Sequence, residues 1–185
     1  MLERLKVSLE SCPVVKMGDY EYFVHPVTDG IPRMDPGLLE EVLDSICELC
    51  DFRCDLIVGA EAMAIPLMVP LSLRTGVPYN IVRKRRYGLP GEVSVRQVTG
   101  YSCKDLYING IERGQRVVVL DDVISTGGTL RALIKALREV GAEIVDAIVV
   151  VEKTDHKVAL EQELGVRIKT LVKVRVGDGR VTVIT

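Results

Sequence analysis

Apolar residues recur along the chain at two different spacings, and these predict alternating helices and strands. Between residues 38 and 49, and again between 130 and 140, they recur with the period typical of the buried face of a helix. Residues 64–74 are mostly apolar and predict a further helix. Short aliphatic runs predict buried strands at 55–59, 79–82, 116–120, 144–151 and 168–174. The alternation favours an α/β fold with a mostly parallel central sheet flanked by helices.

Two segments depart from this alternation. Residues 13–36 are rich in proline and aromatic side chains, and we interpret residues 1–36 as a small amino-terminal cap, or hood, on the main domain. Residues 83–110 are polar and contain glycine, and a connection of this length inside a compact domain is usually a mobile functional loop. With 185 residues, 48% of them hydrophobic, residues 1–185 are expected to form a single domain.

Charge and cysteine content narrow the classes of partner. The formal net charge is -2, which argues against a broad nucleic-acid-binding surface. No apolar run approaches the roughly 18 residues that cross a bilayer, and the amino terminus lacks the apolar segment of a secretion signal. Five cysteines without a secretion signal are expected to be reduced thiols. We therefore expect a cytoplasmic protein with neither a nucleic-acid nor a membrane partner.

The segment from Val118 to Thr129 carries the most specific chemistry. An apolar strand is followed by the carboxylates of Asp121 and Asp122, then by a turn of Ser, Thr and Gly that opens a helix. Backbone N–H groups at a helix start favour an anion such as a phosphate, while two carboxylates suit ribose hydroxyls or Mg²⁺. The alternative is an ordinary helix cap beside two solvated carboxylates. The full order of strand, acidic pair and glycine turn is more specific than that.

These residues are similar to a known family. The run VVVLDDVISTGGT resembles the phosphoribosyl-diphosphate (PRPP) motif of the type I phosphoribosyltransferases, and the resemblance extends over roughly residues 27–175. Residues 59–63, 81–85 and 89–91 resemble segments of that family, the latter two those of adenine phosphoribosyltransferases. Residues 22–26, 28–30 and 99–102 resemble the archaeal hypoxanthine/guanine subfamily.

The resemblance implies an enzyme of purine salvage and the roles of its phosphate-binding residues. A purine base would displace pyrophosphate from Mg²⁺-bound PRPP through an oxocarbenium-like transition state. Asp121 and Asp122 would act on the ribose hydroxyls or on the Mg²⁺, through water. The 5′-phosphate would be bound by Ser125, Thr126, Gly127, Gly128 and Thr129.

The same resemblance implies a pyrophosphate site formed by two segments. One is the turn Glu61, Ala62 and Met63, and the other is the basic run Arg83, Lys84 and Arg85. Taken alone, the turn fits a helix cap equally well, and the basic run fits a solvated surface. The basic run departs from the family pattern around residues 86–88, where it has one residue more and lacks a lysine before Leu-Pro-Gly.

The base site is implied by the hood and by the segment near residue 152. Gly100 stands where adenine enzymes carry Glu, so the adenine-recognising carboxylate is missing, and Gly100 and Tyr101 would belong to the lid. We expect 6-oxopurines, with hypoxanthine or guanine converted to IMP or GMP. The base would be contacted mainly by backbone groups of Val27, Thr28, Asp29, Gly30, Ile31, Glu152 and Lys153.

Other functions remain open at this point. An adenine phosphoribosyltransferase is the alternative within the family, and a non-catalytic regulator that senses PRPP is the alternative from another class. The segment before the fold is short and shows no helix-turn-helix pattern, which disfavours the regulator. The resemblance also implies a homodimer.

Overall fold

The computed structural model describes residues 2–18, 20–98 and 103–184. The helices in these ranges are α1 (Glu3–Glu10), α2 (Pro26–Asp29), α3 (Pro36–Leu49), α4 (Ile65–Thr75), α5 (Gly128–Val140) and α6 (Lys157–Leu164). The strands are β1 (Val14–Met17), β2 (Tyr20–Phe23), β3 (Leu56–Ala60), β4 (Tyr79–Val82), β5 (Val93–Val98), β6 (Cys103–Ile108), β7 (Arg116–Ile124), β8 (Glu143–Glu152), β9 (Ile168–Gly177) and β10 (Arg180–Val183).

Six strands form a central sheet in the order β10-β9-β8-β7-β3-β4. The pairs β4–β3, β3–β7, β7–β8 and β8–β9 are parallel, and β10 closes the sheet as an antiparallel hairpin with β9. The α/β fold class with a mostly parallel sheet is therefore confirmed. Strand β7 lies in the interior of the sheet, between β8 and β3, and it carries the acidic pair.

Helices cover both faces of this sheet. On one face α1, α3 and α4 bury their apolar side chains with Ile57, Val118 and Leu120 of the sheet. On the other face α5, α6 and the β5–β6 hairpin pack over Val58 and Val119. Because both faces are covered, the central strands read as continuous aliphatic runs rather than alternating ones. Across the described residues, no helix is both long enough and apolar enough to cross a membrane.

Local sequence signals account for the helix ends. The Asp35 carboxylate accepts a hydrogen bond of 3.0 Å from the Leu38 amide, and Pro36 occupies the first turn of α3. Helix α5 ends at Gly141, whose φ of +87° is a left-handed conformation that glycine adopts without strain. These two helices are the ones that apolar periodicity predicts best.

The structure differs from the sequence prediction in three elements. Strand β7 continues through the acidic pair to Ile124, whereas the apolar run ends at Leu120. Within the segment 83–110, residues 93–98 and 103–108 form the antiparallel strands β5 and β6. Helix α6 was not predicted, because in the described chain it buries only Leu160 and Leu164 and carries little periodicity.

Within residues 1–36, we use the name hood from here on for the β1–β2 hairpin and the short helix α2. The hairpin is a separate two-stranded sheet and not a strand of the central sheet, as the proline-rich sequence predicts. Helix α1 lies elsewhere, with Leu5 and Leu9 buried in the core against α3 and β10. The division into a cap at 1–36 and a mobile loop at 83–110 stays a prediction.

His25 holds the hood to α1 as a buried, neutral imidazole. Its Nε2 lies 2.9 Å from Ser8 Oγ, and because the Ser8 hydroxyl donates to the Leu5 carbonyl, the histidine is the donor of this pair. Its Nδ1 accepts from the Val27 amide at 3.2 Å. Burial lowers the pKa of His25 to about 4, and the nearby Asp29 only partly offsets this. Both ring nitrogens are satisfied only in the uncharged state.

We expect this histidine to make the fold acid-sensitive. The pKa of His25 lies below its unfolded value of about 6.5, so the unfolded chain binds more protons and stability falls as pH drops from about 6.5 towards 4. Chemical denaturation at pH 7 and pH 5 should show the native chain losing about 2 kcal/mol more than His25→Gln, which cannot titrate. Equal losses in both proteins would contradict the assignment.

Candidate active site

The carboxyl ends of β3, β4, β7 and β8 meet at one edge of the sheet, where open α/β sheets bind ligands. Four segments follow these strand ends. They are the turn 61–63 after β3, the basic run 83–86 after β4, the loop 125–127 after β7 and the segment 153–156 after β8. Parallel pairing therefore brings together segments that are far apart in the sequence.

Asp121 and Asp122 lie at the centre of this edge. Asp121 is 6% exposed and lines a cavity of about 90 Å³ together with the loop 125–129. Burial raises the pKa of Asp121 to about 6, although hydrogen bonds from Asp122 and the positive charge of Lys84 oppose this. The pKa of Asp122 is raised well above its usual range by desolvation and then by the charge of Asp121. A cation or a hydroxyl-rich ligand here would relieve the repulsion between the two carboxylates.

The loop from Ser125 to Thr129 forms the other wall of the same cavity. Gly127 is the cap residue of α5 and has a φ of +76°, so no side chain competes for the first amides of the helix. A Cβ at this position would lie 2.7 Å from the end of the Leu160 side chain of α6, which would have to move. The loop thus presents backbone N–H groups and hydroxyls at a helix amino terminus, which favours an anion.

The turn after β3 and the basic run after β4 contact each other. The Glu61 carboxylate accepts a hydrogen bond from the Lys84 amide, and its second oxygen lies 3.1 Å from Arg83 Nε. Arg83 also pairs through its backbone with Tyr107 of β6. Lys84 and Arg85 are exposed at this end of the sheet, and the Arg85 guanidinium lies 5.7 Å from the centre of the Tyr87 ring. Two segments expected to bind pyrophosphate therefore lie side by side.

The hood residues approach this edge from the opposite side. Gly30 lies near Met63, since a Cβ on Gly30 would be 3.7 Å from the methionine methyl group. The negative charge of Asp29 contributes to the raised pKa of Asp122, and α2 packs on β7. The Asp29 carboxylate is itself held by Tyr22 and Thr28, each donating at 2.6 Å. The structure thus places the hood next to both the acidic pair and the turn after β3.

Glu152 and Lys153 point in different directions after β8. The Glu152 carboxylate is buried and contacts Thr170 at 2.9 Å, Lys173 at 3.4 Å and Lys157 at 3.5 Å. The Glu152 carboxylate is therefore already engaged by neighbouring side chains. Lys153 Nζ instead donates to the Tyr20 hydroxyl and to the Glu21 carbonyl, both at 2.8 Å.

Tyr20 joins the hood to the loop after β7, a role the sequence did not indicate. Its hydroxyl lies 3.1 Å from Ser125 Oγ, and its ring centre lies 4.0 Å from Lys153 Nζ. Beyond it lies a second cavity of about 500 Å³, lined by Ser125, Thr126, Lys153 and Arg175 among others. The one sequence signal near Tyr20 is the cluster of aromatic residues in the hood, and that cluster does not indicate this contact. Gly100 and Tyr101, expected in the lid, lie outside the described residues.

The acidic pair fits a divalent cation that also has oxygen ligands from a substrate. Within residues 2–18, 20–98 and 103–184, no cluster of three or more His, Cys, Asp or Glu side chains could hold a metal alone. Asp121 and Asp122 are hard oxygen donors whose charged forms are disfavoured by burial, and Mg²⁺ is usually held by one or two carboxylates plus phosphates.

Comparison with known proteins identifies the family. The model of the phosphoribosyl transferase domain matches residues 38–177. The chain is 54% identical over 184 residues to a hypoxanthine/guanine phosphoribosyltransferase of Methanohalophilus mahii, covering 100% of this chain and 96% of that protein. It is 55% identical over 181 residues to the enzyme of that name from Methanotorris igneus, covering 97% and 99%.

Solved structures agree with this result. The adenine phosphoribosyltransferase of Thermoanaerobacter pseudethanolicus has a TM-score of 0.77 and 27% identity, covering 94% of this chain and 99% of that one. The resemblance to the type I phosphoribosyltransferases, drawn from the motif after β7, is confirmed. Because the matching domain spans most of the chain, from α3 to the end of β9, this protein belongs to the phosphoribosyltransferase family.

Proposed function

We propose that this protein is a hypoxanthine/guanine phosphoribosyltransferase of purine salvage, converting the base and PRPP to IMP or GMP and pyrophosphate. The observation that carries the proposal is the cavity that the buried Asp121 lines together with the glycine loop 125–129. Full-length identities above 50% to archaeal enzymes of that name support the same activity.

The two phosphate-binding regions would hold PRPP from its ends. Amides and hydroxyls of Ser125, Thr126, Gly127, Gly128 and Thr129 bind the 5′-phosphate at the start of α5. The turn Glu61 to Met63 and the basic run Arg83 to Arg85 bind the pyrophosphate, and the Glu61 carboxylate keeps these two segments together. The ribose is then held between them, over the acidic pair.

Asp121 and Asp122 act on the ribose end of the substrate. Their carboxylates accept hydrogen bonds from the ribose hydroxyls or from water on Mg²⁺, and they stabilise the positive charge that develops at the ribose carbon C1. When bound, Mg²⁺ neutralises charge on the departing pyrophosphate. The base nitrogen bonds to C1 as the bond from C1 to the pyrophosphate oxygen breaks, and the proton on that nitrogen passes to the departing pyrophosphate or to water. A lid containing Gly100 and Tyr101 would keep water away from this carbon, as the resemblance implies.

The base is proposed to lie between the hood and the segment after β8. In the described chain the amides of residues 27–30 donate within the hood, to His25 or to Pro26, so carbonyl groups of residues 27–31 are the ones left to contact a base. Lys153 adds an ammonium group, which can only donate. A carbonyl for the N1–H and a donor for O6 match a 6-oxopurine, whereas the amino group of adenine would meet a donor.

One assay separates the candidate functions. The protein is mixed with Mg²⁺, PRPP and each purine, and release of pyrophosphate is measured. Turnover with hypoxanthine or guanine supports the proposal, and turnover with adenine alone would indicate an adenine enzyme. Binding of PRPP without turnover would indicate a regulator. The homodimer expected from the resemblance stays a prediction. Size-exclusion chromatography with light scattering tests it by measuring the molar mass.

We expect a strong preference for 6-oxopurines. The specificity constant kcat/KM for hypoxanthine and guanine should exceed that for adenine at least about a hundredfold, which corresponds to about 3 kcal/mol of donor–donor mismatch. Steady-state rates at saturating Mg²⁺ and PRPP give the three values. In Lys153→Met the preference should shrink, since the ammonium donor is gone. A native preference for adenine would contradict the base assignment and leave the PRPP site untouched.

Replacing either aspartate should separate activity from stability. Asp121→Asn or Asp122→Asn keeps the size of the side chain but removes its charge, so turnover should fall about tenfold or more. Because burial raises the pKa of both carboxyls, their ionised forms destabilise the fold, and the melting temperature at pH 8 should stay equal or rise. Asp51→Asn, in an exposed ion pair before β3, is the control and should change neither value. Full activity in both site variants would make the pair structural.

A further inference from the structure

Arg131, in the first turn of α5, connects the glycine loop to α6. Its Nε lies 2.8 Å from Oε1 and 3.0 Å from Oε2 of Glu163, and one terminal nitrogen lies 2.9 Å from Oε2. The other terminal nitrogen donates to the Thr126 carbonyl at 2.6 Å. One guanidinium therefore binds a carboxylate on its fork and a carbonyl of the glycine loop at the same time. Lysine, with a single ammonium, cannot reproduce this geometry.

The contact with the Thr126 carbonyl sets the direction of a donor in the loop. The carbonyl of Thr126 and the N–H of Gly127 belong to one planar peptide unit, and in a trans peptide they point in opposite directions. Since the carbonyl is turned towards Arg131, the Gly127 N–H is turned away from Arg131. Thr126 and Gly127 both line the cavity that contains Asp121.

Glu163 fixes the guanidinium in turn. The buried side chains of Leu160 and Leu164 anchor helix α6 to the core. The Leu160 side chain also lies where a Cβ on Gly127 would be. The hydrogen bond with Glu163 raises the pKa of Arg131, and the same contact lowers that of Glu163, so the two groups stay ionised together. Both side chains are about half exposed, and such a pair adds little to stability on its own.

We propose that Arg131, oriented by Glu163, is a positioning residue that holds the Thr126–Gly127 peptide in the orientation required to bind the 5′-phosphate. The proposal rests on the proposed function, because it assigns the ligand of the glycine loop as that phosphate. Preorganised donors bind an anion without the cost of reorienting the loop. Loss of the clamp should therefore weaken binding of the 5′-phosphate end of PRPP more than it slows the chemical step.

The chain offers a matched control on the same helix. Arg138 lies two turns after Arg131 and donates to the Leu164 carbonyl at the end of α6. It therefore also joins α5 to α6, but it does not reach the glycine loop. A purely structural role for Arg131 would make the two arginines equivalent.

The experiment compares Arg131→Met, Arg131→Lys, Glu163→Gln and Arg138→Met with the native protein. We expect KM for PRPP to rise about tenfold in Arg131→Met, with kcat changed less than about threefold. Inhibition by ribose 5-phosphate should weaken by a similar factor, whereas inhibition by inorganic pyrophosphate should not change. Arg131→Lys and Glu163→Gln should show smaller rises of at least about threefold. Arg138→Met should keep KM for PRPP within about twofold of the native value, although its melting temperature should fall about as much as that of Arg131→Met.

The outcomes distinguish this proposal from the proposed function. A native protein that neither binds nor turns over PRPP would contradict the proposed function itself. An active native protein whose Arg131→Met variant keeps its KM for PRPP would overturn the positioning role, as would an equal rise in Arg138→Met. Complete rescue by lysine would show that charge alone acts, which also contradicts it. If Arg131→Met does not fold, Glu163→Gln and Arg131→Lys decide the matter.

Discussion

The burial of Asp121 at the carboxyl end of β7 is the constraint on which the site depends. A carboxylate in that position is costly, and its pKa of about 6 shows how strongly burial opposes its charge. The covering of both sheet faces by helices creates this burial, and the positive charge of Lys84 relieves it only in part. The fold therefore keeps an unfavourable group at one edge of the sheet, and a cation or a hydroxyl-rich ligand would stabilise its charged form.

Around this acidic pair, the surrounding segments are held by contacts that are themselves independent of any ligand. Glu61 joins the turn after β3 to the basic run after β4. Lys153 joins the hood to the segment after β8 through Tyr20, and the Tyr20 hydroxyl reaches Ser125. Each contact links two segments on different strands, so the edge is already arranged before substrate arrives. Such preorganisation is what electrostatic stabilisation of a developing charge requires.

The sequence predicts the parts of this arrangement that arise from local patterns. The aliphatic run of β7, the periodicity of α5 and the glycine at its start are all visible within a few residues, and they place the strand, the glycine turn and the helix where the structure has them. The acidic pair was expected after the strand, but β7 continues to Ile124 because pairing with β8 extends to Glu152. Helix α6 carries little apolar periodicity, and the alternation in β5 and β6 is short. The β5–β6 hairpin packs against α5, and α6 buries Leu160 and Leu164 in the same apolar cluster, so tertiary contacts decide these positions and local propensity does not.

Side-chain contacts between residues far apart in the sequence also limit prediction. They explain why the sequence indicated the separate segments of the site but not how these segments contact each other. Arg131 and Glu163 are separated by 32 residues, and Tyr20 and Lys153 by 133, so no spacing in the sequence relates them. Glu152 is another case: the sequence indicated its backbone as a base contact, and no spacing predicted the three neighbours from α6 and β9 that hold its carboxylate. The direction in which a side chain points at the end of a strand depends on the neighbouring groups it can bind, and these come from other elements. For that reason the glycine and hydroxyl residues of the loop could be identified from the sequence, whereas the groups that orient the loop could not.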